Sequence, residues 1–380
     1  MTQPIGIIVN GATGRMGYRQ HLVRSLVPIR DAGGVLMADG SRQPIELILV
    51  GRRPERLREI ADELRVDEIS TDLDAVLGDP RWQIYFDAGA TNLRAANLRK
   101  AIAAGKSIYT EKPIADSLTE SIEIAELAAA SGIRTGVVHD KLFLPGLLKL
   151  RRLIDSGFFG RILSVRGEFG YWVWEGDWQS AQRPSWNYRK EDGGSIVVDM
   201  FPHWCYVIEN LFGEIDAVTA KVVTHIPTRW DEQGAEYPAT ADDAAYAFFE
   251  VGDIVVAMNS SWTTRVNRKE LVEFHIDGTH GSAVAGLFGC KIQPRELTPK
   301  PVWNPDLPDE HDYLADWHEI PDNAEFQNGF KAQWEEFLRA EILGEDYKFD
   351  LVDGARGVRL AEAGLLSNAG GRRVQLSELD

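Results

Sequence analysis

Ile5-Gly6-Ile7-Ile8-Val9-Asn10-Gly11-Ala12-Thr13-Gly14-Arg15-Met16-Gly17 is the stretch that decides the fold. Its first five residues are short, apolar and β-branched, as in a parallel strand buried on both faces. A glycine-rich turn follows, then a helical pattern through about Val27. Strand, glycine turn and helix in that order are the context that makes a dinucleotide-binding reading credible. Glycines let the backbone approach a pyrophosphate, and the helix N-terminus supplies free N–H groups and the positive end of a dipole. The spacing is G-x-x-G-x-x-G rather than G-x-G-x-x-G. Gly11, Thr13, Gly14, Arg15 and Met16 are the candidate cofactor contacts in this turn.

The alternation continues outward. Residues 28–44 hold Pro28, Gly33, Gly34, Gly40 and Pro44 and read as a loop insertion. Ile45–Val50 is the next strand, followed by Gly51-Arg52-Arg53 where an NAD-specific protein often places an acidic residue for the ribose hydroxyls. Arginines there suit a 2′-phosphate, so the cofactor is read as NAD(P), leaning to NADP. A helix is expected near 54–64. Trp82–Asp87 reads as a strand with a loop through Ala90, Thr91 and Asn92 at its carboxyl end, then a helix over 93–104 stopped at Gly105. Ser107-Ile108-Tyr109-Thr110 runs into Glu111-Lys112-Pro113, so Glu111 and Lys112 stand at a strand's carboxyl end, where open α/β sheets bind ligands, and with Ala90, Thr91 and Asn92 they are further candidate cofactor contacts. A helix over 118–131 and a strand over 133–138 complete a β/α alternation that implies a parallel sheet.

From Asp140 the pattern changes. A helix is expected over 147–154. Strand-like alternation then appears at 162–169, 217–223, 244–251, 254–260 and 271–276, with a hairpin turn at Glu250–Ile254. The segment 292–325 carries no assignable pattern, and helices near 326–342 and 354–368 follow. The fold class is therefore α/β: a Rossmann domain over 1–139 and a second α/β domain over 140–380 with a mostly antiparallel sheet. The C-terminal helix is free to pack back on the first domain.

Gly193-Gly194-Ser195 leads into an apolar run reaching Phe212, with Asp199 and His203 four residues apart. In a helix that spacing puts both side chains on one face. Ser195 is a fair N-cap, and Pro202 means a kink or a later start. A buried segment carrying an Asp and a His on one face needs a reason, either a structural pair or a base oriented by a carboxylate. Aromatic residues gather before it: Tyr171, Trp172, Trp174, Trp178, Trp186 and Tyr188. Such rings suit the C–H faces of a sugar, and interface packing is the alternative.

Composition excludes several classes. The net charge of −17 disfavours nucleic acid and anionic membranes. No apolar run of spanning length and no basic leader before a hydrophobic segment is found, so a cytoplasmic location is expected. Two cysteines, Cys205 and Cys290, give no disulfide framework and no zinc spacing. A metal held by His139, Asp140, Asp199 and His203 is conceivable, but none is assigned.

Taken together these motifs resemble the glucose–fructose oxidoreductase, inositol dehydrogenase and rhizopine-catabolism (Gfo/Idh/MocA) oxidoreductases over almost the whole chain and in the right order. The resemblance rests on the glycine turn, Ala103-Ala-Gly-Lys-Ser-Ile-Tyr-Thr-Glu-Lys-Pro113, Leu153-Ile-Asp-Ser-Gly-Phe-Phe-Gly-Arg-Ile162, the glycine pair with Asp199 and His203, and Asp353-Gly with Glu362-Ala. It implies that Lys112, Asp199 and His203 form the catalytic group and that the Lys112–Pro113 bond is cis. It also implies that the second sheet is large and open and that its outer face makes a homodimer or homotetramer. The expected function is oxidation of a ring hydroxyl to a ketone in a sugar or glycoside, with His203 as base, Asp199 orienting it and Lys112 steadying the alkoxide. His139, Asp140, Trp172, Trp174, Trp186, Tyr188, Asp199 and His203 are the candidate substrate contacts. The alternatives are a cyclitol substrate, reduction of an imine, and a non-catalytic nucleotide sensor. The family's histidine after the fourth strand is Ala95 here, and His139-Asp140-Lys141 stands near the place of an arginine common after the sixth.

Overall fold

β1, Ile5–Asn10, lies at the centre of a six-stranded parallel sheet. The computed structural model describes residues 3–170, 183–264, 268–300, 304, 306 and 311–379. Tertiary contacts divide the chain into two units. The first is Met1–Phe143 with Gln327–Arg359, and the second is Leu144–Phe326 with Leu360–Asp380.

In the first unit β2 is Ile45–Val50, β3 Glu68–Ser70, β4 Trp82–Asp87, β5 Ser107–Thr110 and β6 Thr135–Val137. Their order is β3-β2-β1-β4-β5-β6, the doubly wound arrangement whose direction reverses between β1 and β4. The strands' apolar runs are explained by burial on both faces. Ile7, Val9, Leu47 and Leu49 join one core with Leu22, Leu57 and Ile60, whereas Ile8, Ile48 and Val50 join another with Leu98, Ile102 and Ile124. The first core also takes Trp334, Phe337 and Leu338 from the helix Gly329–Leu343, so a segment distant in sequence completes this unit.

Two details depart from the sequence reading. Met16–Leu26 is wound as a π-helix and continues as α-helix through Asp31. Residues 28–44 are not a plain loop: after that helix, Val35–Leu36 pairs with Arg42–Gln43 as a small hairpin. Strands of two residues are too short to show a period.

The second unit is built on a nine-stranded sheet among the described residues. Its strands are β7 Ile162–Phe169, β8 Ala217–Val223, β9 Ala244–Val251, β10 Ile254–Ser261, β11 Val272–Gly278, β12 Gly281–Gly286, β13 Cys290–Pro294, β14 His318–Glu319 and β15 Val374–Gln375. The order is β14-β13-β12-β11-β7-β10-β9-β8-β15. β7 and β10 are parallel and the other pairs antiparallel. The helix Ile196–Leu211 packs on β9 and β10. Tyr246, Phe248 and Val255 remain exposed on this sheet.

Candidate active site

In the first unit the cofactor-type residues converge on the switch point. Gly11 has φ +79°, and a Cβ there would lie 2.5 Å from the Ala88 carbonyl carbon, so only glycine fits where β1 meets the loop after β4. A Cβ on Gly17 would lie 2.4 Å from the Gly11 carbonyl oxygen, which keeps the helix tight on the turn. Thr13, Arg52 and Arg53 line a cavity of about 390 Å³. Both arginines are exposed. Gly14 and Arg15 are exposed in the turn and Met16 is half-buried at the start of the π-helix. Ala90 is the N-cap of a helix that begins at Thr91 and includes Asn92, two residues earlier than the sequence reading.

Behind this surface lies a buried polar network. Asp87, fully buried at the end of β4, accepts hydrogen bonds from the Asn10 amide (3.1 Å), the Tyr85 hydroxyl, the Gly89 N–H (2.9 Å) and the Arg94 Nε (3.2 Å). Arg94 in turn donates to the carbonyls of Gly89 (2.8 Å) and Pro113. The loop after β4 is thereby tied to the Glu-Lys-Pro turn, whose Lys112–Pro113 bond is cis. Glu111 is 7 % exposed and pairs with the fully buried His21 at 2.8 Å. Burial pushes the Glu111 carboxyl up, but the His21 hydrogen bond and the positive charges of Arg94 and Lys112 outweigh it and leave its pKa below the usual value. Its carboxylate is therefore committed within the protein. Lys112 is half-buried. His139 is buried against Phe349, its backbone N–H donating to Gln333 (2.8 Å), and burial drives its pKa down to about 3. Asp140 lies 3.7 Å from Lys141.

In the second unit the helix Ile196–Leu211 runs through Pro202 and carries Asp199 and His203 one turn apart. Ser195 caps it, accepting from the N–H groups of Val197 (3.1 Å) and Val198 (3.2 Å) and donating to Asp242 (2.8 Å). Gly194 must be glycine, since a Cβ would fall 2.4 Å from the Asn187 carbonyl. Asp199, in the first turn, accepts from Arg183 Nη2 at 2.6 Å, and Arg183 also donates to Asn187 (3.1 Å) and lies over the Trp262 ring. The His203 Nδ1 is 2.7 Å from the Tyr206 hydroxyl, one turn further on.

The aromatic candidates separate. Trp186 is 50 % exposed, whereas Tyr188 is buried, edge-on to Trp262 and under the Arg229 guanidinium at 3.9 Å. Burial pushes the Tyr188 hydroxyl up to about 12. That ring is only 1 % exposed. Tyr171, Trp172, Trp174 and Trp178 lie outside the described residues. The network around Tyr188 was not foreseen. Arg229 and Asp243 form a buried pair at 2.8 Å, and Glu232 receives the N–H of Ser185 at 2.7 Å. These bonds hold the segment before the helix against the hairpin Thr228–Trp230/Glu236–Pro238.

The comparisons with known proteins bear on the family and the fold. Residues 29–139 match the "Oxidoreductase family, NAD-binding Rossmann fold", and residues 147–284 the "GFO/IDH/MocA C-terminal domain". The D-xylose dehydrogenase of Paenarthrobacter nicotinovorans is 59 % identical over 383 residues, 100 % of this chain and 99 % of that one. The levoglucosan dehydrogenase of Pseudarthrobacter phenanthrenivorans is 26 % identical over 255 residues, 63 % of this chain and 65 % of that one. A solved structure of levoglucosan dehydrogenase in complex with NADH and levoglucosan superposes with a TM-score of 0.81 at 21 % identity, covering 98 % of this chain and 100 % of that chain.

Proposed function

Because the chain belongs to the Gfo/Idh/MocA oxidoreductase family, we propose that it is an NAD(P)-dependent dehydrogenase of a sugar CH–OH group, with a pentose such as D-xylose the leading substrate. The observation that carries this reading is the full-length identity to a D-xylose dehydrogenase. Bound nicotinamide supplies the chemistry of the step by accepting hydride from the carbinol carbon. Gly11, Thr13 and Gly14 would hold its diphosphate, and Arg52 and Arg53 a 2′-phosphate. His203 is the base that takes the hydroxyl proton. His203 Nδ1 meets the Tyr206 hydroxyl at 2.7 Å, and in the tautomer where Nδ1–H donates to it, Nε2 keeps the lone pair a base needs. Lys112 offers positive charge to the developing alkoxide. Asp199, in the first turn of the helix, is paired with Arg183 and places a carboxylate one turn before His203. The exposed sheet face with Tyr246 and Phe248 is where copies associate into a dimer or tetramer.

The test is titration with NAD, NADP and their reduced forms, followed by a panel of pentoses, hexoses, glycosides and cyclitols read by nicotinamide reduction. Turnover on a pentose supports the reading, and absence of binding by any nicotinamide sinks it. Product identity settles the hydroxyl, since oxidation at the anomeric carbon gives a lactone and at another ring carbon a ketone. If NADP is the cofactor, Arg52→Ala with Arg53→Ala weakens its binding at least about tenfold and leaves NAD unchanged, the loss expected for charge-assisted hydrogen bonds.

A further inference from the structure

A buried chain of hydrogen bonds ends at the backbone of Lys112. The Trp334 indole N–H points at His21 Nδ1 (2.9 Å), His21 Nε2 meets Glu111 Oε1 (2.8 Å), and the Lys112 N–H reaches Glu111 Oε2 (3.3 Å). Trp334 and His21 are fully buried. An indole N–H can only donate, so His21 Nδ1 must accept and the ring proton sits on Nε2, aimed at the carboxylate. Glu111 thus receives an N–H at each oxygen. On the far side of the turn, Arg94 holds the Pro113 carbonyl. His21 lies in the π-wound segment Met16–Leu26, a winding that recurs at functional sites.

We propose that His21 and Glu111 are positioning residues: Trp334 locks His21 in one tautomer, and through Glu111 that lock fixes the backbone from which Lys112 is presented. This rests on the dehydrogenase reading for Lys112's role, but the tautomer lock does not.

Glu111→Gln makes the idea sharp. A glutamine has one acceptor and one donor group, so it cannot accept from both His21 Nε2–H and the Lys112 N–H. With Trp334 in place His21 cannot change tautomer, and the Lys112 N–H loses its partner. The expected result is a kcat about 10²-fold lower, the scale of a misplaced catalytic group, with KM for sugar and nicotinamide unchanged. Adding Trp334→Phe removes the lock. His21 then carries its proton on Nδ1, its Nε2 accepts from the glutamine amide, and the glutamine oxygen returns to the Lys112 N–H. The double variant therefore regains about tenfold in kcat over Glu111→Gln, as restoring a buried hydrogen bond would give. A purely structural role predicts a double variant equal to or worse than the single one, and that result overturns the proposal.

The second measurement needs neither turnover nor the Glu111 variant to fold. With ¹⁵N-labelled histidine, the His21 ring must show its proton on Nε2 in the native chain, and still on Nε2 in Trp334→Phe, where the Glu111 carboxylate accepts from it as before. A native Nδ1–H tautomer overturns the relay whatever the substrate proves to be. A native Nε2–H tautomer without turnover on any sugar would sink the dehydrogenase reading alone.

Discussion

The carboxyl ends of the first sheet and the start of the helix Ile196–Leu211 both gather charge, yet they treat water oppositely. Asp87, Arg94, Glu111 and His21 are all less than a tenth exposed, and each is hydrogen-bonded to the others or to backbone. The Arg183 and Asp199 side chains are 20 % and 26 % exposed and meet at 2.6 Å. A charge taken fully out of water must be paired, and once paired it is costly to disturb. A pair left partly in water costs little to keep and remains open to substrate. The first region is therefore read as scaffold and the second as chemistry, and substitutions should separate them by which property they damage.

The largest effect tests the chemical side. His203→Ala should lower kcat by about 10²–10⁴-fold, the range for general-base assistance, while nicotinamide binding and the melting temperature stay near the native values. Native-like turnover would remove His203 from the mechanism. A large loss of thermal stability would move it to the scaffold. Next comes the scaffold. Asp87→Ala leaves Arg94 buried without its carboxylate, and breaking such a pair costs about 3–5 kcal/mol. Denaturant unfolding should show that loss. A change of less than about 1 kcal/mol would mean that the remaining Gly89 and Pro113 carbonyls suffice for Arg94.

The same contrast explains what could be read from the residues. The parallel sheet was legible because β1 and β2 are continuous apolar runs, and the Ser195 cap and the Asp199–His203 face because a helix fixes i, i+4 neighbours. β12 was missed, since Gly-Ser-Ala-Val-Ala-Gly has little of the bulk that marks strands. The place of Trp334, Phe337 and Leu338 in the first core was invisible, because periodicity shows that a helix has an apolar face but not which sheet receives it. The polar partners were the least legible. Arg183, Tyr206, Arg94 and His21 acquire meaning only when chain segments up to 313 residues apart meet, as His21 and Trp334 do. The Tyr206 hydroxyl against His203 Nδ1 is likewise a partner that the Asp199–His203 spacing did not reveal.

The smallest effect concerns acid. Burial holds His139 neutral, with its pKa at about 3 against 6.5 when exposed. In the unfolded chain it protonates as the pH falls below about 6.5, and in the folded chain it does not until about 3. The unfolded state therefore binds the extra proton across that window, and stability drains as pH falls, by about 1.4 kcal/mol per unit. At pH 5 the loss from this group is about 2 kcal/mol relative to neutral pH. Glu111 adds to it at lower pH: its folded pKa is depressed, so the unfolded chain protonates first below the ordinary carboxylate pKa, and the contribution drains from there until the pH has fallen through the folded pKa. His139→Leu should flatten the stability profile between pH 7 and 5 and leave the steeper fall at lower pH in place. A His139→Leu variant with the native pH–stability slope would show that this histidine meets water in solution, and that the scaffold side of the contrast is wetter than its geometry implies.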